Sequence, residues 1–221
     1  MFLYVDIEHA SGFAKPHGDW LYAARARISY ALEDVVGDDV HLIRYSKLDA
    51  EAMARLKPRC LLLSGNTADP QTYGPNGLDG LFRILTTTSL PVFGFCGGHQ
   101  MLARAFGVEI TRLGRADPAF DPDGNEAWIS ESGYSEVSVD DHPVFEGLGQ
   151  SPIVRHAHTW EVPAVPRGFT GVARTSTTAI QAMAHEQRPI FGTQFHPEWW
   201  TDENPAGRRM IENFCSWAGL L

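Results

Sequence analysis

Two short stretches of the chain carry side chains capable of nucleophilic chemistry. In "LPVFGFCGGHQMLARAFG", Leu90 to Gly107, Cys96 stands among Gly94, Gly97 and Gly98, where an apolar run gives way to helical spacing. One hundred positions later, "RPIFGTQFHPEWW" ends a second apolar run at His196, with Glu198 two residues on, after Pro197. A strand that enters a helix through G-x-C-x-G makes a nucleophile elbow: the glycines relieve the crowding of the tight turn and the side chain is pushed up into the site. The following helix aims free N–H groups and its dipole at the sulfur, which favours the thiolate. A thiol nucleophile needs a base, and the base an orienting partner; a carboxylate beside His196 would hold one tautomer and stabilise the cationic ring. The N–H of Gly97 is placed to bind a developing oxyanion.

Other residues of these types read as structural. Cys60 and Cys215 lie in apolar contexts, where a free cysteine is usually an inert core residue. Three cysteines far apart suggest neither a disulfide framework nor a zinc site. Of nine histidines, most have no distinguishing context. His156 and His158 in "HAH" share a strand face, so a metal site with His185 or Glu161 is geometrically conceivable, but packing or hydrogen bonding is the better reading, and the expectation is no metal and no cofactor. Asp117, Asp121 and Asp123 lack the terminal glutamate of a calcium loop.

The elements that must position Cys96 and His196 follow from periodicity. "MFLYVDI", "DVHLIRYS", "RCLLLSG" and "LPVFGF" read as strands; "GDWLYAARARISYALEDVV", with Asp19 as N-cap, "DAEAMARLKP", "NGLDGLFRILTTTS" and "GGHQMLARAFG" read as helices. A polar loop is expected after the first strand. The alternation predicts a doubly wound, mainly parallel sheet flanked by helices, with sites in loops at the strands' carboxyl ends. Residues Gly114 to Gly133 read as a loop or flap. "YSEVSVD", "PIVRHAHTWEV", "FTGVARTS", "AIQAMAHE" and "RPIFGTQF" are strand-like and predict a small antiparallel extension, and "NPAGRRMIENFCSWAGLL" a last helix. No linker interrupts the chain, so residues 1–221 are expected to form one domain.

Taken together, "GFCGGHQ" and "GTQFHPE" resemble the class I, triad-type glutamine amidotransferase domain, and the strands "FLYVDIEH" and "LLLSG" and the segment "H-x-W-E-V" follow that family's order. The resemblance implies a flavodoxin-like fold in which Cys96 attacks the side-chain amide of glutamine or a related γ-glutamyl amide. His196 then serves as base and proton donor, and Glu198 orients it. It further implies an oxyanion hole from the N–H of Gly97 with that of Gly65 or Asn66, and substrate contacts from Gln100. His158 falls in the segment whose backbone holds the substrate's amino-acid end, with turn packing as its alternative. Where the family commonly shows S-G-G-P or S-N-G-P, this chain has "SGNT", Ser64 to Thr67; Asn66 tolerates left-handed geometry better than most residues.

What is missing narrows the reading. No G-x-x-x-x-G-K-[ST] occurs, so ATP chemistry is not expected here, and no synthetase domain accompanies the elbow. The expected function is a glutaminase that passes ammonia to a separate synthetase subunit. The alternatives are a free-standing γ-glutamyl hydrolase, similar to the γ-glutamyl peptidases, and a non-catalytic amidotransferase-like binding module. A formal charge of −9 without Lys/Arg runs argues against nucleic acid. No signal peptide or ~18-residue apolar span is found, which leads to an expectation of a soluble, cytoplasmic protein with no membrane partner.

Overall fold

The computed structural model describes residues 1–114 and 128–221. Four strands, β1 (Phe2–Asp6), β2 (Val40–Arg44), β3 (Cys60–Leu63) and β4 (Val92–Phe95), alternate with helices α2 (Gly18–Val36), α3 (Ala50–Leu56), α4 (Asp79–Thr87) and α5 (Gly97–Ala105). A short helix α1 (Ala10–Phe13) follows β1. Then come β5 (Thr111–Arg112), β6 (Glu131–Glu136), β7 (Ser138–Val139), β8 (Ile153–His158), β9 (Trp160–Glu161), β10 (Phe169–Arg174), β11 (Ala182–His185), β12 (Ile190–Thr193) and α6 (Ala206–Trp217). The main sheet has eight strands in the order β2-β1-β3-β4-β12-β11-β10-β7. Pairing is parallel from β2 to β12 and antiparallel beyond. The antiparallel extension is therefore joined to the main sheet, while β6–β8 and β5–β9 form two small sheets of their own.

Both faces of the parallel strands are covered, which is why they read as continuous apolar runs. Alternate residues divide between two cores. Phe2 and Tyr4 point toward Ile28 and Leu32 of α2 and toward Phe93, Phe191 and Phe214, and Leu3 and Val5 toward Leu81, Leu85, Met101 and Leu102 of α4 and α5. The apolar stripe of α2, Leu21-Ala24-Ile28-Leu32-Val36, has the three-to-four spacing of a helix that buries one side. Gly37 ends the helix in the left-handed conformation at φ 62°.

Three expectations need correction. Asp19 does not cap α2: the helix begins at Gly18, and Asp19 lies in its first turn, where its charge still faces the helix dipole. A Cβ on Gly18 would meet the Phe13 carbonyl oxygen at 1.9 Å, so this turn is compact and starts the helix early. The loop after β1 contains α1, capped by the His9 ring accepting from the Ser11 N–H at 3.2 Å. The stretch expected to be loop through Gly133 is already strand from Glu131, because Glu131 pairs with His158 across the β6–β8 ladder. The calcium-like aspartates Asp117, Asp121 and Asp123 lie outside the described residues.

Two histidines are buried in neutral form. Burial pushes His99 down to about 3 and His156 down to about 4. Both rings stay neutral in the fold while an unfolded chain takes up protons below its ordinary value near 6.5. Stability should therefore fall as pH drops from about 6.5 toward 4, by up to about 1.4 kcal/mol per pH unit for each ring. Urea midpoints measured across that window should show the slope, and His99→Gln should flatten it.

Candidate active site

β4 and β12 are parallel neighbours, with Phe95 opposite Thr193. Cys96 leaves the first strand one residue later and His196 the second three residues later, so two residues one hundred positions apart come to an adjacent pair at the carboxyl ends of neighbouring strands. The Cys96 N–H donates to the Thr193 carbonyl at 2.7 Å, and the His196 N–H to that of Arg155 in β8 at 2.8 Å. Cys96 has φ 47° and ψ −100°, a positive φ at a non-glycine residue. Such backbone costs on the order of 1–3 kcal/mol. The glycines around it make room for backbone contact. A Cβ on Gly94 would lie 2.6 Å from the Gly98 carbonyl carbon, and one on Gly98 would lie 2.6 Å from the Leu63 carbonyl oxygen. The start of α5 is thus seated directly on β3 and β4.

His196 Nδ1 lies 2.7 Å from Glu198 Oε1, and Glu198 is buried. A Cβ placed on Gly65 would fall 2.8 Å from His196 Cε1 and 3.8 Å from Cys96 Cβ, so the ring and the cysteine converge on one point beside that glycine. Burial opposes a charge on His196, but the Glu198 carboxylate and the Cys96 sulfur outweigh it and push its pKa up to about 10. The Gln194 side-chain amide donates toward Cys96 Sγ at 3.5 Å. Burial pushes Cys60 well up and Cys215 up to about 12, leaving both as inert thiols.

Gly65 lies beside Cys96 and His196, and Asn66 beside Gly97. A Cβ on Gly97 would meet Asn66 Oδ1 at 2.0 Å and the Asn66 backbone nitrogen at 3.0 Å, so the two stretches touch. The "SGNT" loop is held by residues that were not singled out from the sequence. Arg25 donates to Asp6 Oδ1 at 2.9 Å and to the Gly65 carbonyl at 2.8 Å. Glu8 accepts from the Thr67 and Ala68 N–H groups, and Asn66 Nδ2 donates to the Ala68 carbonyl and to Tyr73 Oη. Asp6 and Glu8 carry a weak signal, two acids at the end of a buried strand; Arg25 carries none, since an arginine on an amphipathic helix reads as exposed. Arg25 and Asp6 are both buried, and removing one member of such a pair costs about 3–5 kcal/mol. Arg25→Met should lower unfolding free energy by that order in urea titrations.

Gln100 is buried and donates through Nε2 to the Trp160 carbonyl and to Gln194 Oε1, each at 3.2 Å. His158 does not reach Cys96. Its Nδ1 donates to the Trp160 carbonyl at 3.0 Å and its Nε2 lies 2.9 Å from Glu131 Oε2. Of the two expectations for His158, turn packing describes the side chain, while the backbone around it faces the site: the Ala157 carbonyl is 4.0 Å from Cys96 Sγ. Glu131 also accepts from Thr175, Thr178 and Gln181; against the effect of burial, His158 first and then the Thr175 and Thr178 hydroxyls hold its carboxyl down at about 2. Glu131, His156 and His158 offer ligand atoms within 4.8 Å of one another. Glu131, not His185 or Glu161, is thus the acid beside the "HAH" pair, and its oxygens are already engaged by hydroxyl and amide donors. His185 packs between Phe106 and Phe169. A cavity of about 540 Å³ opens over Cys96, walled by Asn66, Gln100, Ala157, Thr159 and Trp160.

A doubly wound, mainly parallel sheet with a cysteine elbow beside a His–Glu pair at the strands' carboxyl ends defines the class of α/β protein. The family model described as glutamine amidotransferase class-I matches residues 28–217, and the chain belongs to that family. It is 30% identical to the glutamine-hydrolysing GMP synthase subunit of Pyrococcus furiosus over 169 residues, covering 75% of this chain and 79% of that one. Over 133 residues it is 36% identical to the corresponding GMP synthase subunit of Archaeoglobus fulgidus, covering 59% of this chain and 63% of that one. Among solved structures it is similar to a candidate GMP synthase subunit from Thermoplasma acidophilum, with TM-score 0.73, 23% identity, and coverage of 99% and 94%. A glutamine amidotransferase from Thermotoga maritima gives TM-score 0.62, 15% identity, and coverage of 98% and 81%. No helix among the described residues is long and apolar enough to cross a membrane.

Proposed function

We propose that the chain hydrolyses the side-chain amide of glutamine through a γ-glutamyl thioester on Cys96. The observation that carries this reading is the convergence of Cys96 and His196 beside Gly65, with Glu198 on the far ring nitrogen. His196 as imidazolium holds the sulfur as thiolate. The thiolate attacks the amide carbon, and the oxyanion is met by N–H groups of Gly97 and of Gly65 or Asn66. The C–N bond breaks as His196 gives its proton to the departing nitrogen, releasing ammonia. Water then enters, returns a proton to His196, and frees glutamate as the S–C bond breaks. Gln100 and the backbone from Ala157 to Trp160 hold the amino-acid end.

The GMP synthase relatives are glutamine-hydrolysing by name, and their likeness supports passage of the ammonia to a separate synthetase subunit. The pure chain incubated with glutamine should release glutamate and ammonia in equal amounts, and acid-quenched samples should carry a γ-glutamyl adduct on the peptide that contains Cys96. A chain that releases neither, alone or with a GMP synthetase subunit added, and that forms no adduct would refute the reading.

A further inference from the structure

A second cavity, of about 340 Å³, adjoins the first: the two share Asn66, Thr67 and Ala157, with Cys96 lining the first and His196 the second. Its walls include His196, Leu21, Trp20, Trp199, Tyr134 and Arg155. We propose that it is a leaving-group subsite, and that the chain cleaves γ-glutamyl amides of aromatic amino acids, γ-glutamylphenylalanine being the simplest.

The inference rests on the thioester reading above, which fixes the direction of the substrate. The glutamyl half occupies the cavity with Gln100 and Cys96, and the amide nitrogen faces His196, its proton donor. Any substituent on that nitrogen must then extend past His196 into the second cavity. Ammonia needs about the ~30 Å³ of one water. The space provided lies at the lower end of the roughly 300–1,000 Å³ that small-molecule sites enclose.

The lining is specific in kind. Trp20 and Trp199 stack at 5.8 Å with planes 7° apart, and Tyr134 donates its hydroxyl proton to the Trp199 carbonyl. Trp20 nevertheless remains 55% exposed and Tyr134 37%, large apolar surfaces left facing a cavity rather than a core. Arg155 stands opposite Tyr134 across the β6–β8 ladder, its guanidinium 5.6 Å from the ring centre. Among the described residues no carboxylate pairs with it. An aromatic side chain fits against the tryptophans, and a carboxylate on the amine's α-carbon meets Arg155 in a charge-assisted bond. An amino acid with an aromatic side chain carries both groups. The reaction balances as for glutamine: the C–N bond breaks, the His196 proton goes to the α-amino nitrogen, and water completes the release of glutamate and phenylalanine.

The test pairs hydrolysis by the wild type with binding to Cys96→Ala, using glutamine, γ-glutamylalanine and γ-glutamylphenylalanine. kcat/KM for γ-glutamylphenylalanine should exceed that for γ-glutamylalanine by at least about 10-fold, as burial of an aromatic ring warrants. Trp20→Ala and Arg155→Gln should each lower the first by about 10-fold while changing glutamine hydrolysis by less than about 2-fold, since ammonia touches neither group. Cys96→Ala should bind γ-glutamylphenylalanine more tightly than glutamine by calorimetry. If glutamine is cleaved but γ-glutamylphenylalanine is bound and cleaved no better than γ-glutamylalanine, the subsite is overturned and the glutaminase reading stands. If Cys96→Ala binds γ-glutamylphenylalanine tightly, losing it on Trp20→Ala, while the wild type releases glutamate from no amide, the subsite is supported and the shared thioester chemistry is overturned.

Discussion

Cys96→Ala should abolish glutamate release from glutamine, lowering kcat by about 10⁴-fold or more, the usual consequence of removing a nucleophile from a unit that acts together. No other described side chain can take over the attack: the remaining thiols, Cys60 and Cys215, are buried and pushed to high pKa. Stability should change little beside that loss. Alanine has the same Cβ as cysteine, so at φ 47° it carries the same backbone strain, and it gives up only the sulfur's long contacts with the Gln194 amide and the Ala157 carbonyl and its smaller part in raising the His196 pKa. Cys96→Gly should differ in the informative direction. Glycine accepts that φ without penalty, so it should be as inactive as alanine yet more stable by about 1 kcal/mol, a strain of the order stored at such positions. Glutamate-release assays and urea midpoints on the two variants check both halves. A glycine variant less stable than alanine would mean that the elbow is not strained. The comparison separates a residue kept for chemistry from one kept for packing.

The fold was legible because both of its periods are strongly written. Buried parallel strands such as "FLYVD" and "CLLL" are apolar throughout, and α2 repeats its apolar stripe over five turns. The glycine-flanked cysteine and the strand ending in His196 could be found because tight turns and sheet edges leave local marks. The shell behind them could not. Asp6, Glu8 and Arg25 hold the "SGNT" loop through contacts made 40 to 60 residues apart in the chain, and no spacing rule links a strand end, a helix and a loop that meet only once folded. The same holds for Glu131. It sits opposite His158 because β6 and β8 pair antiparallel, whereas a reading of "HAH" along its own strand looks for partners such as Glu161 and His185. Asp19 as a cap failed for the opposite reason: the local signal was sound, but α1 packs against the helix start and the cap position falls two residues earlier, at His17.

The order of losses within the pair should distinguish base from orienting acid. His196→Ala removes the proton donor and acceptor altogether and should lower kcat by about 10³–10⁴-fold. Glu198→Gln keeps a side-chain oxygen that can still accept from Nδ1–H, so it should cost less, about 10²-fold, and leave a measurable rate. Its diagnostic effect is on pH. In the native chain His196 is held protonated up to about 10, chiefly by the Glu198 carboxylate and then by the Cys96 sulfur acting against burial. In the proposed reaction the protonated ring is what gives the departing nitrogen its proton, so activity should be present while the ring is protonated and lost as pH rises through the ring's folded value. Neutralising Glu198 lowers that value, and the basic limb of kcat should move to lower pH, with rates near neutrality suffering less than rates at pH 9. Cys96→Ala should move the ring the same way by a smaller amount, visible in the histidine resonances even though that variant turns nothing over. The sign of stability follows the same logic. A ring held above its unfolded value near 6.5 contributes stability that is fully present below that pH and fades as pH approaches 10. The Glu198→Gln stability difference should therefore be largest at acid to neutral pH and shrink in alkali. If the basic limb stays in place in Glu198→Gln, the carboxylate does not set the charge of His196, and the two residues do not work as a unit.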